Sequence, residues 1–363
     1  MIYQDAQFSV RENAIPQTPT ARFSEAKRPE TSFSTEFQHL FKSTYFDLAS
    51  GVGYAQSDGK VDITVGTILP PPLNRIFTTS STDLKHTNLY AYSYVNALKN
   101  VTFTLGASGD FANGDSAEFE DKRQFNPKFG VTWNLFSGTT IRSAIFRVLK
   151  RKLITDQTLE PTQVAGFNQF FDDNNGTDAW RYGGAIDQKF TKEIFGGVEF
   201  SKRDLKSPFV DRNIGHEQDM HEQLFRNYLF WAPHPWWGLR AEYLFERFKS
   251  EGLTNLPKKL NTHRVPLGVS FFHPSGLSAT LGPSYVHQEG RFVLLNRNIR
   301  SGSEDFWTVD ASINYRLPKR YGFISVGATN LFDKNFRFFD RDIRNPTIQP
   351  SRTVFARVTL ALP

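Results

Sequence analysis

The feature that most constrains this chain is a strict alternation of apolar and polar residues over stretches of about ten residues. In the clearest stretch, residues 304–317, the apolar positions are Trp307, Val309, Ala311, Ile313 and Tyr315. A period of two is typical of a β-strand with one apolar and one polar face. The same period recurs at 101–108, 239–246, 277–285 and 354–362, and no segment has a convincing helical period. The alternation therefore predicts an all-β protein.

Applied along the whole chain, the alternation predicts about fifteen strands, whose connections are alternately short and long. The predicted strands are 32–42, 45–56, 85–97, 100–112, 122–136, 139–150, 179–190, 194–203, 219–232, 237–248, 260–272, 277–288, 304–317, 322–332 and 351–362. The short connections carry turn residues, as at Lys99-Asn100, Ser137-Gly138 and 273–276. The long polar connections are 57–84, 151–178, 204–218, 289–303 and 333–350.

In an up-and-down antiparallel sheet every second connection lies at the same end, so all tight turns share one rim and all long loops the other. Outer-membrane barrels are built in this way, with the apolar strand face toward lipid and the polar face toward the lumen. We therefore predict a transmembrane antiparallel up-and-down β-barrel over residues 32–363, preceded by an irregular segment, residues 1–31. Soluble sandwiches, propellers and barrels also use alternating strands, and a soluble β-sheet binding protein stays open as an alternative.

The composition fits strands that are apolar on one face only. The chain has 35 Phe, 12 Tyr and 6 Trp, yet its mean hydropathy is −0.44. Aromatic residues cluster at predicted tight turns, where a girdle at the membrane interface belongs. These residues are Trp231, Trp236 and Trp237 at one turn, and Tyr321 and Phe323 at another.

Other classes are disfavoured by what the sequence lacks. No stretch of about 18 apolar residues predicts a membrane helix, and Met1–Asp5 does not resemble a signal peptide. The absence of Cys excludes disulfides and thiolate chemistry. The net charge of +6 is spread along the chain, so we expect no nucleic-acid partner.

Two segments invite a metal site, and neither has the required spacing. His216 and His221 are five residues apart, which places them on opposite faces of a strand. Residues 172–178 resemble part of a calcium loop without its later Glu. Since no catalytic triad, phosphate loop or dinucleotide motif is recognisable either, we predict neither an enzyme nor a cofactor.

Two long loops each carry three arginines, which could bind an anionic ligand because guanidinium groups hold carboxylates and phosphates in bidentate fashion. Such a ligand could be a ferric chelate or a lipopolysaccharide phosphate. The alternative is that these arginines only neutralise neighbouring aspartates. The six candidates are Arg291, Arg297 and Arg300 in one loop, and Arg337, Arg341 and Arg344 in the other.

The segment Gly327-Ala328-Thr329-Asn330-Leu331-Phe332-Asp333-Lys334-Asn335-Phe336 resembles the "G-x-x-N-L-F-D-K-x-[FY]" segment near the C-terminus of TonB-dependent outer-membrane receptors. In that family the segment ends the penultimate strand and is followed by an external loop and one last strand. Here the loop would be 333–350 and the last strand 351–360, entered through Pro350 and Arg352. The motif residues by this resemblance are Asn330, Leu331, Phe332 and Asp333.

The resemblance implies a receptor barrel in a Gram-negative outer membrane that takes up a scarce nutrient such as a ferric chelate. Its implied partners are a small-molecule ligand, membrane lipid and lipopolysaccharide, and the TonB energy-coupling complex. Family barrels have about 22 strands and a globular plug, so we expect this chain to be the C-terminal part of such a barrel, without the plug, the coupling box and the first strands. A passive or export porin is the alternative function.

Overall fold

The computed structural model describes residues 1–13, 21–67, 75–114, 121–154, 157–211, 214–251, 257–293, 298–339 and 348–361. Sixteen strands form one sheet in chain order, and β8 and β9 form a separate two-stranded hairpin. The strands are β1 (Ile2–Asn13), β2 (Ala21–Lys42), β3 (Phe46–Thr67), β4 (Arg75–Leu98), β5 (Val101–Gly114), β6 (Lys122–Phe136), β7 (Thr139–Leu149), β8 (Gln163–Val164), β9 (Phe167–Asn168), β10 (Asp178–Lys189), β11 (Ile194–Asp211), β12 (Ile214–His234), β13 (Trp237–Ser250), β14 (Lys259–Phe272), β15 (Leu277–Val293), β16 (Ile299–Arg316), β17 (Gly322–Thr329) and β18 (Thr353–Leu360). The registers are antiparallel from β1 to β5 and from β12 to β18. This strand order confirms the predicted up-and-down topology. Within the described ranges, no helix has the length and apolarity of a membrane span.

Many strands are longer than the alternation predicted. For example, β3 has 22 residues and β4 has 24, whereas about ten tilted residues cross a bilayer. The parts beyond the membrane have no lipid to face, so their outward side need not be apolar. In β3, for example, Val61, Ile63 and Val65 lie on the face opposite to that of Leu48 and Val52, which breaks the phase of the alternation. The predicted loops 57–84, 204–218 and 289–303 therefore contain paired strand, including Asp62↔Thr79 in β3 and β4. Of the predicted long loops, 151–178 and 333–350 keep extended non-strand segments.

The prediction that residues 1–31 are irregular was wrong. They include β1, which pairs antiparallel with β2 from Ile2↔Ser34 to Asn13↔Phe23. In β1 the alternation covers only Ala6 to Arg11, which is shorter than the stretches of about ten residues from which the strands were predicted. Strand pairing outside the bilayer depends on backbone hydrogen bonds rather than on an apolar face.

The contacts divide the chain into two compact units, and neither follows the predicted boundary at residue 32. Unit 1 is Met1–Gly130, Phe146–Trp180 and Lys206–Glu217. Unit 2 is Val131–Ile145, Arg181–Leu205 and Gln218–Pro363.

The burial pattern is inverted relative to a water-soluble protein. On β16, Trp307 and Ile313 are 54% and 58% exposed, whereas Thr308 between them is 6% exposed. Lys128, Arg151 and Glu160 are buried, and large apolar side chains are exposed in both units. A soluble fold buries such apolar residues and exposes the charges. The apolar faces therefore do not form a dry interior between two sheets, and the soluble alternative loses its physical basis.

The tight turns have the conformations that their residues predicted. Asn100, Gly138 and Gly276 adopt positive φ values of 63°, 93° and 92°, which Asn and Gly tolerate best. The aromatic side chains beside the turns are exposed, including Trp236 and Tyr321. An exposed aromatic band next to short turns is the expected arrangement at a membrane interface.

Candidate functional site

The candidate site is the polar face of the sheet, described separately for each unit. In unit 1 this face carries a buried hydrogen-bond network. Nε2 of His86 lies 2.9 Å from Oδ1 of Asp110, and Nδ2 of Asn126 donates to the other oxygen of Asp110 at 2.6 Å. All three side chains are at most 3% exposed. Buried polar groups need such partners, and here they hold the face rigid.

A long segment, residues 150–178, folds onto this polar face instead of extending away from it. Its central contact is the buried ion pair between Arg151 and Glu160, whose Nη2 and Oε2 atoms are 2.9 Å apart. Tyr92 Oη donates to Glu160 at 2.6 Å, and Asn88 Nδ2 donates to it at 3.2 Å. Glu160 thus joins the segment, which we call the inner loop, to strand β4.

The hairpin β8–β9 contributes two fully buried apolar side chains to the inner loop. Val164 and Phe167 are at most 1% exposed. A Cβ added to Gly130 of β6 would lie 2.8 Å from the Cβ of Ala165, so Gly130 permits this close approach. Beside the hairpin, Lys128 Nζ donates to Gln169 Oε1 at 2.7 Å.

The outer edge of the inner loop is held by strands β2 and β3. Glu36 accepts from the backbone N–H of Leu159 and from the Thr158 hydroxyl. Lys152 pairs with Glu30 at 2.6 Å and donates to Ser57 at 2.9 Å. Contacts at both the buried and outer ends make the inner loop a fixed part of the polar face.

In unit 2 the polar face lines a cavity of about 860 Å³. Arg240 and Arg264 lie on its wall with Asp310, and Phe195 and Phe230 stack at 5.0 Å between ring centroids. Arg240 is 3.7 Å from Glu242, which itself pairs with Arg226 at 2.7 Å. The Arg240–Glu242 contact runs along β13, and the Arg226–Glu242 pair joins β12 to β13. A wall of arginines and aromatic rings suits an anionic, partly apolar ligand.

The family-like motif at 330–333 forms a turn, and Asn330 also lies on the wall of the unit 2 cavity. Asn330 is 2% exposed and has φ of 47°. Its side chain accepts from Lys334 N at 2.8 Å and donates to Lys334 O at 3.0 Å, while its backbone N–H donates to Asp310 at 2.9 Å. Asp333 accepts from the N–H of Arg352 at 2.8 Å, which ties this turn to the start of β18.

After this turn, residues 336–339 fold across the polar face of β15 and β16. The Phe336 ring stacks on Phe306 with centroids 4.1 Å apart. The side-chain amide of Gln288 accepts from Phe339 N at 2.8 Å and donates to Phe339 O at 3.1 Å. The described part of the predicted loop 333–350 is thus also held on the inner side of the sheet.

The structure separates the predicted arginines. Arg291 and Arg300 lie on the paired ends of β15 and β16, not in a loop, and alternation places them on opposite faces. Arg300 shares the polar face with Glu304, which Arg337 contacts at 3.0 Å. Arg297, Arg341 and Arg344 lie outside the described residues. A ligand-binding role for the six remains a prediction.

The two segments that lack metal-site spacing, 216–221 and 172–178, make other contacts. His221 Nδ1 lies 2.7 Å from Asp204, and the His216 ring stacks on Phe209. Asp178 pairs with Arg147 at 2.6 Å. In the part of the chain that the structure describes, no group of three or more potential ligands could hold a metal ion.

The fold matches solved outer-membrane receptors, although no protein-family model and no curated protein sequence matches the chain. The ferric-catecholate import receptor Fiu of E. coli K12 matches with a TM-score of 0.60 and 11% identity, over 98% of this chain and 59% of Fiu. The ferripyoverdine receptor of Pseudomonas aeruginosa matches with a TM-score of 0.60 and 12% identity, over 96% of this chain and 51% of the receptor. The ferric citrate transporter FecA matches with a TM-score of 0.59 and 12% identity, over 99% of this chain and 58% of FecA.

This chain therefore spans between half and three fifths of the length of these three structures. The likeness agrees with the up-and-down sheet, the inverted burial and the aromatic residues at the tight turns. The chain has the β-barrel fold of TonB-dependent outer-membrane receptors.

Proposed function

We propose that this chain is the C-terminal barrel part of an outer-membrane receptor that imports a scarce nutrient, with a ferric chelate as the first candidate. Import through such a barrel would draw energy from a TonB complex in the inner membrane. Three structural neighbours are described as a ferric-catecholate import receptor, a ferripyoverdine receptor and a ferric citrate transporter. Their shared fold supports a transport role, and the choice of nutrient rests on the chemistry of the polar face.

The observation that carries the proposal is the combination of an apolar outer face with an arginine-lined inner concavity. Arg264 has no ion pair among the described residues, and the nearest carboxylate of Arg240 is 3.7 Å away. Guanidinium groups that have no close carboxylate partner can bind the carboxylate or phenolate oxygens of a chelate. Arg300, at the exposed start of β16, is a further arginine on the polar face. Arg337 contacts Glu304 on the same face.

The test is binding of anionic ferric chelates to the full chain, purified in detergent and folded as judged by heat-modifiable gel migration. We expect Arg264→Gln to weaken binding by about 10-fold, as for one lost charge-assisted contact. Arg316→Gln, at the exposed tight-turn end of β16, is the matched control. Recovery of the chain in the outer-membrane fraction tests the location separately.

Equal chelate binding by the Arg264 variant and the unmodified chain would contradict the cargo assignment. A large, ohmic conductance in planar bilayers without chelate binding would instead support a passive or export porin. The open cavity of unit 2 is the observation that keeps this second function under test.

A further inference from the structure

On the polar face of unit 2, one carboxylate is shared unequally between two arginines. Two nitrogens of Arg226 donate to the same oxygen of Glu242, with Nε at 2.9 Å and Nη2 at 2.7 Å from Oε2. The other oxygen of Glu242, Oε1, lies 3.7 Å from Nε of Arg240, which is too far for a hydrogen bond. Glu242 is therefore paired with Arg226, and the charge of Arg240 is largely uncompensated.

Further contacts hold Arg226 in this position. Its guanidinium lies over the Tyr228 ring, 4.8 Å from the centroid, and the Tyr228 hydroxyl donates to Asp187. Asp187 is held in turn by Arg142, at 2.6 Å. These contacts run from β7 to β12, and they leave Arg226 little freedom to turn away from Glu242.

The Arg240 guanidinium lies against the backbone of β14, at the wall of the unit 2 cavity. A Cβ added to Gly268 would lie 3.3 Å from Arg240 Nε, so the absence of a side chain there makes room for Arg240. The Arg240 side chain is 48% exposed, compared with 9% for Glu242. Phe230 is the register partner of Arg240 on β12, and its ring stacks on Phe195. A charged planar group and an aromatic pair thus lie side by side at the cavity.

The other carboxylates of the cavity wall have different partners. Asp310 accepts from the backbone N–H of Asn330 at 2.9 Å, and Glu193 accepts from the Thr191 hydroxyl at 3.0 Å. Neither forms an ion pair with Arg240 among the residues that the structure describes. The positive charge of Arg240 is therefore open to an anion that enters the cavity.

We propose that Arg240 binds a carboxylate of the imported ligand, and that Arg226 is the positioning residue that keeps Arg240 available by neutralising Glu242. The ligand class is a carboxylate carried on a flat apolar group, because a guanidinium binds carboxylates in bidentate fashion and Phe230 offers a ring face beside it. Without Arg226, the largely buried Glu242 would turn to Arg240 and compete with the ligand. This inference rests on the proposed function, since it assigns a subsite within the same cavity.

The test uses the full chain in detergent, and its first measurement needs no cargo. Phenylglyoxal modifies guanidinium groups, and peptide mass spectrometry follows the modification at Arg240. The variants are Arg226→Gln, Arg226→Lys and the double variant Arg226→Gln, Glu242→Gln. Heat-modifiable gel migration checks that each variant is folded.

Arg247→Gln is the matched control. Like Arg226, Arg247 lies over an aromatic ring, with Phe245 at 5.4 Å, and it donates to one neighbouring oxygen, that of Asn261 at 3.1 Å. Alternation along β13 places Arg247 on the face opposite to Arg240. The control therefore removes the same charge and similar contacts without freeing Glu242.

We expect Arg226→Gln to slow the modification of Arg240 by about 10-fold, because Glu242 then pairs with Arg240. The double variant should return to within about twofold of the unmodified chain, since no carboxylate remains to compete. If Arg226→Gln fails to fold, Arg226→Lys takes its place. Lysine keeps a cation beside Glu242 but has a single nitrogen, so the slowing should be about threefold.

The second measurement is protection of Arg240 by small probes of the proposed class. Benzoate should protect Arg240 from phenylglyoxal, its neutral match benzamide should not, and acetate should need a higher concentration because it lacks the ring. In Arg226→Gln, protection should need about 10-fold more benzoate, and the double variant should recover it.

Unchanged modification of Arg240 in the Arg226 variants would overturn the proposal. A loss that the double variant does not recover, or an equal loss in Arg247→Gln, would assign Arg226 a structural role and overturn it too. Equal protection by benzamide and benzoate, or by acetate and benzoate, would overturn the ligand class.

Failure of this inference and failure of the proposed cargo are distinguishable. If benzoate protects Arg240 as expected but no ferric chelate binds, the subsite stands and the cargo is removed. If ferric chelates bind and Arg264→Gln weakens that binding, while Arg226→Gln changes neither the binding nor the modification of Arg240, the cargo stands and this inference is removed.

Discussion

The ion pair between Arg151 and Glu160 offers the sharpest test of the inner loop. Glu160→Ala removes the carboxylate that lies 2.9 Å from Arg151 and accepts from Tyr92 at 2.6 Å. Both members of the pair are at most 5% exposed, so the guanidinium would remain buried without its partner. Such a loss costs about 3–5 kcal/mol. The population of the open inner loop should therefore rise by about 1,000-fold.

Hydrogen exchange measures this opening directly, because the inner loop has protected backbone amides of its own. The N–H of Gln169 donates to Thr162 O at 3.0 Å, and this amide should exchange much faster in Glu160→Ala. Amides of the sheet pairing between β14 and β15 serve as the internal reference. The double variant Arg151→Met, Glu160→Leu removes both charges and should recover most of the protection, since replacing a buried pair by apolar groups is often neutral.

Unchanged exchange at Gln169 in Glu160→Ala would refute the reasoning, because the inner loop would then be held without its ion pair. A double variant as open as the single variant would refute it too, since the cost would not come from the unpaired Arg151. Faster exchange throughout the sheet would show that Glu160 supports the whole fold and not the inner loop alone.

Two further predictions concern other contacts. Asn330→Ala should destabilise the folded chain by about 2–3 kcal/mol in a denaturant titration. The variant loses two hydrogen bonds with Lys334, and the positive φ at residue 330 is costly for Ala. Phe332→Ala, at an exposed position, is the control and should change stability little. Partial burial alone raises the pKa of Glu30, but hydrogen bonding and attraction from Lys152 outweigh it, so this pKa lies below its ordinary value. The Glu30–Lys152 pair therefore stabilises the outer end of the inner loop fully at neutral pH, and this stabilisation is lost as the pH falls through the lowered pKa of Glu30. Amide hydrogen exchange at the outer end of the inner loop should then become faster in acid. Lys152→Met should abolish this pH dependence.

The alternation predicted the membrane-crossing halves of the strands well, for a physical reason. Lipid requires an apolar side chain at every second position, and Trp307 and Ile313 satisfy that requirement visibly. Beyond the bilayer, strands such as β1 are held by backbone pairing, and their side-chain alternation is short, covering only Ala6 to Arg11 in β1. The strand ends and the N-terminal strand could not be predicted for this reason.

The inner loop could not be predicted because its sequence is polar, as an external loop would be. Its central contacts join residues far apart in the chain, such as Glu160 with Tyr92, and no local spacing encodes them. The available signal was the set of apolar residues in this mostly polar stretch, including Ile154, Val164 and Phe167. The predicted arginines were divided by the strand register, which is fixed only when the strands extend through residues 293 and 299.

The turn at Asn330 has a practical consequence for comparisons between sequences. Every contact of its motif residues goes to backbone or to neighbouring strands. Two chains that share these letters therefore need share only a way of finishing a hairpin, and their cargoes can differ completely. Selectivity should be sought in the side chains that the motif leaves untouched.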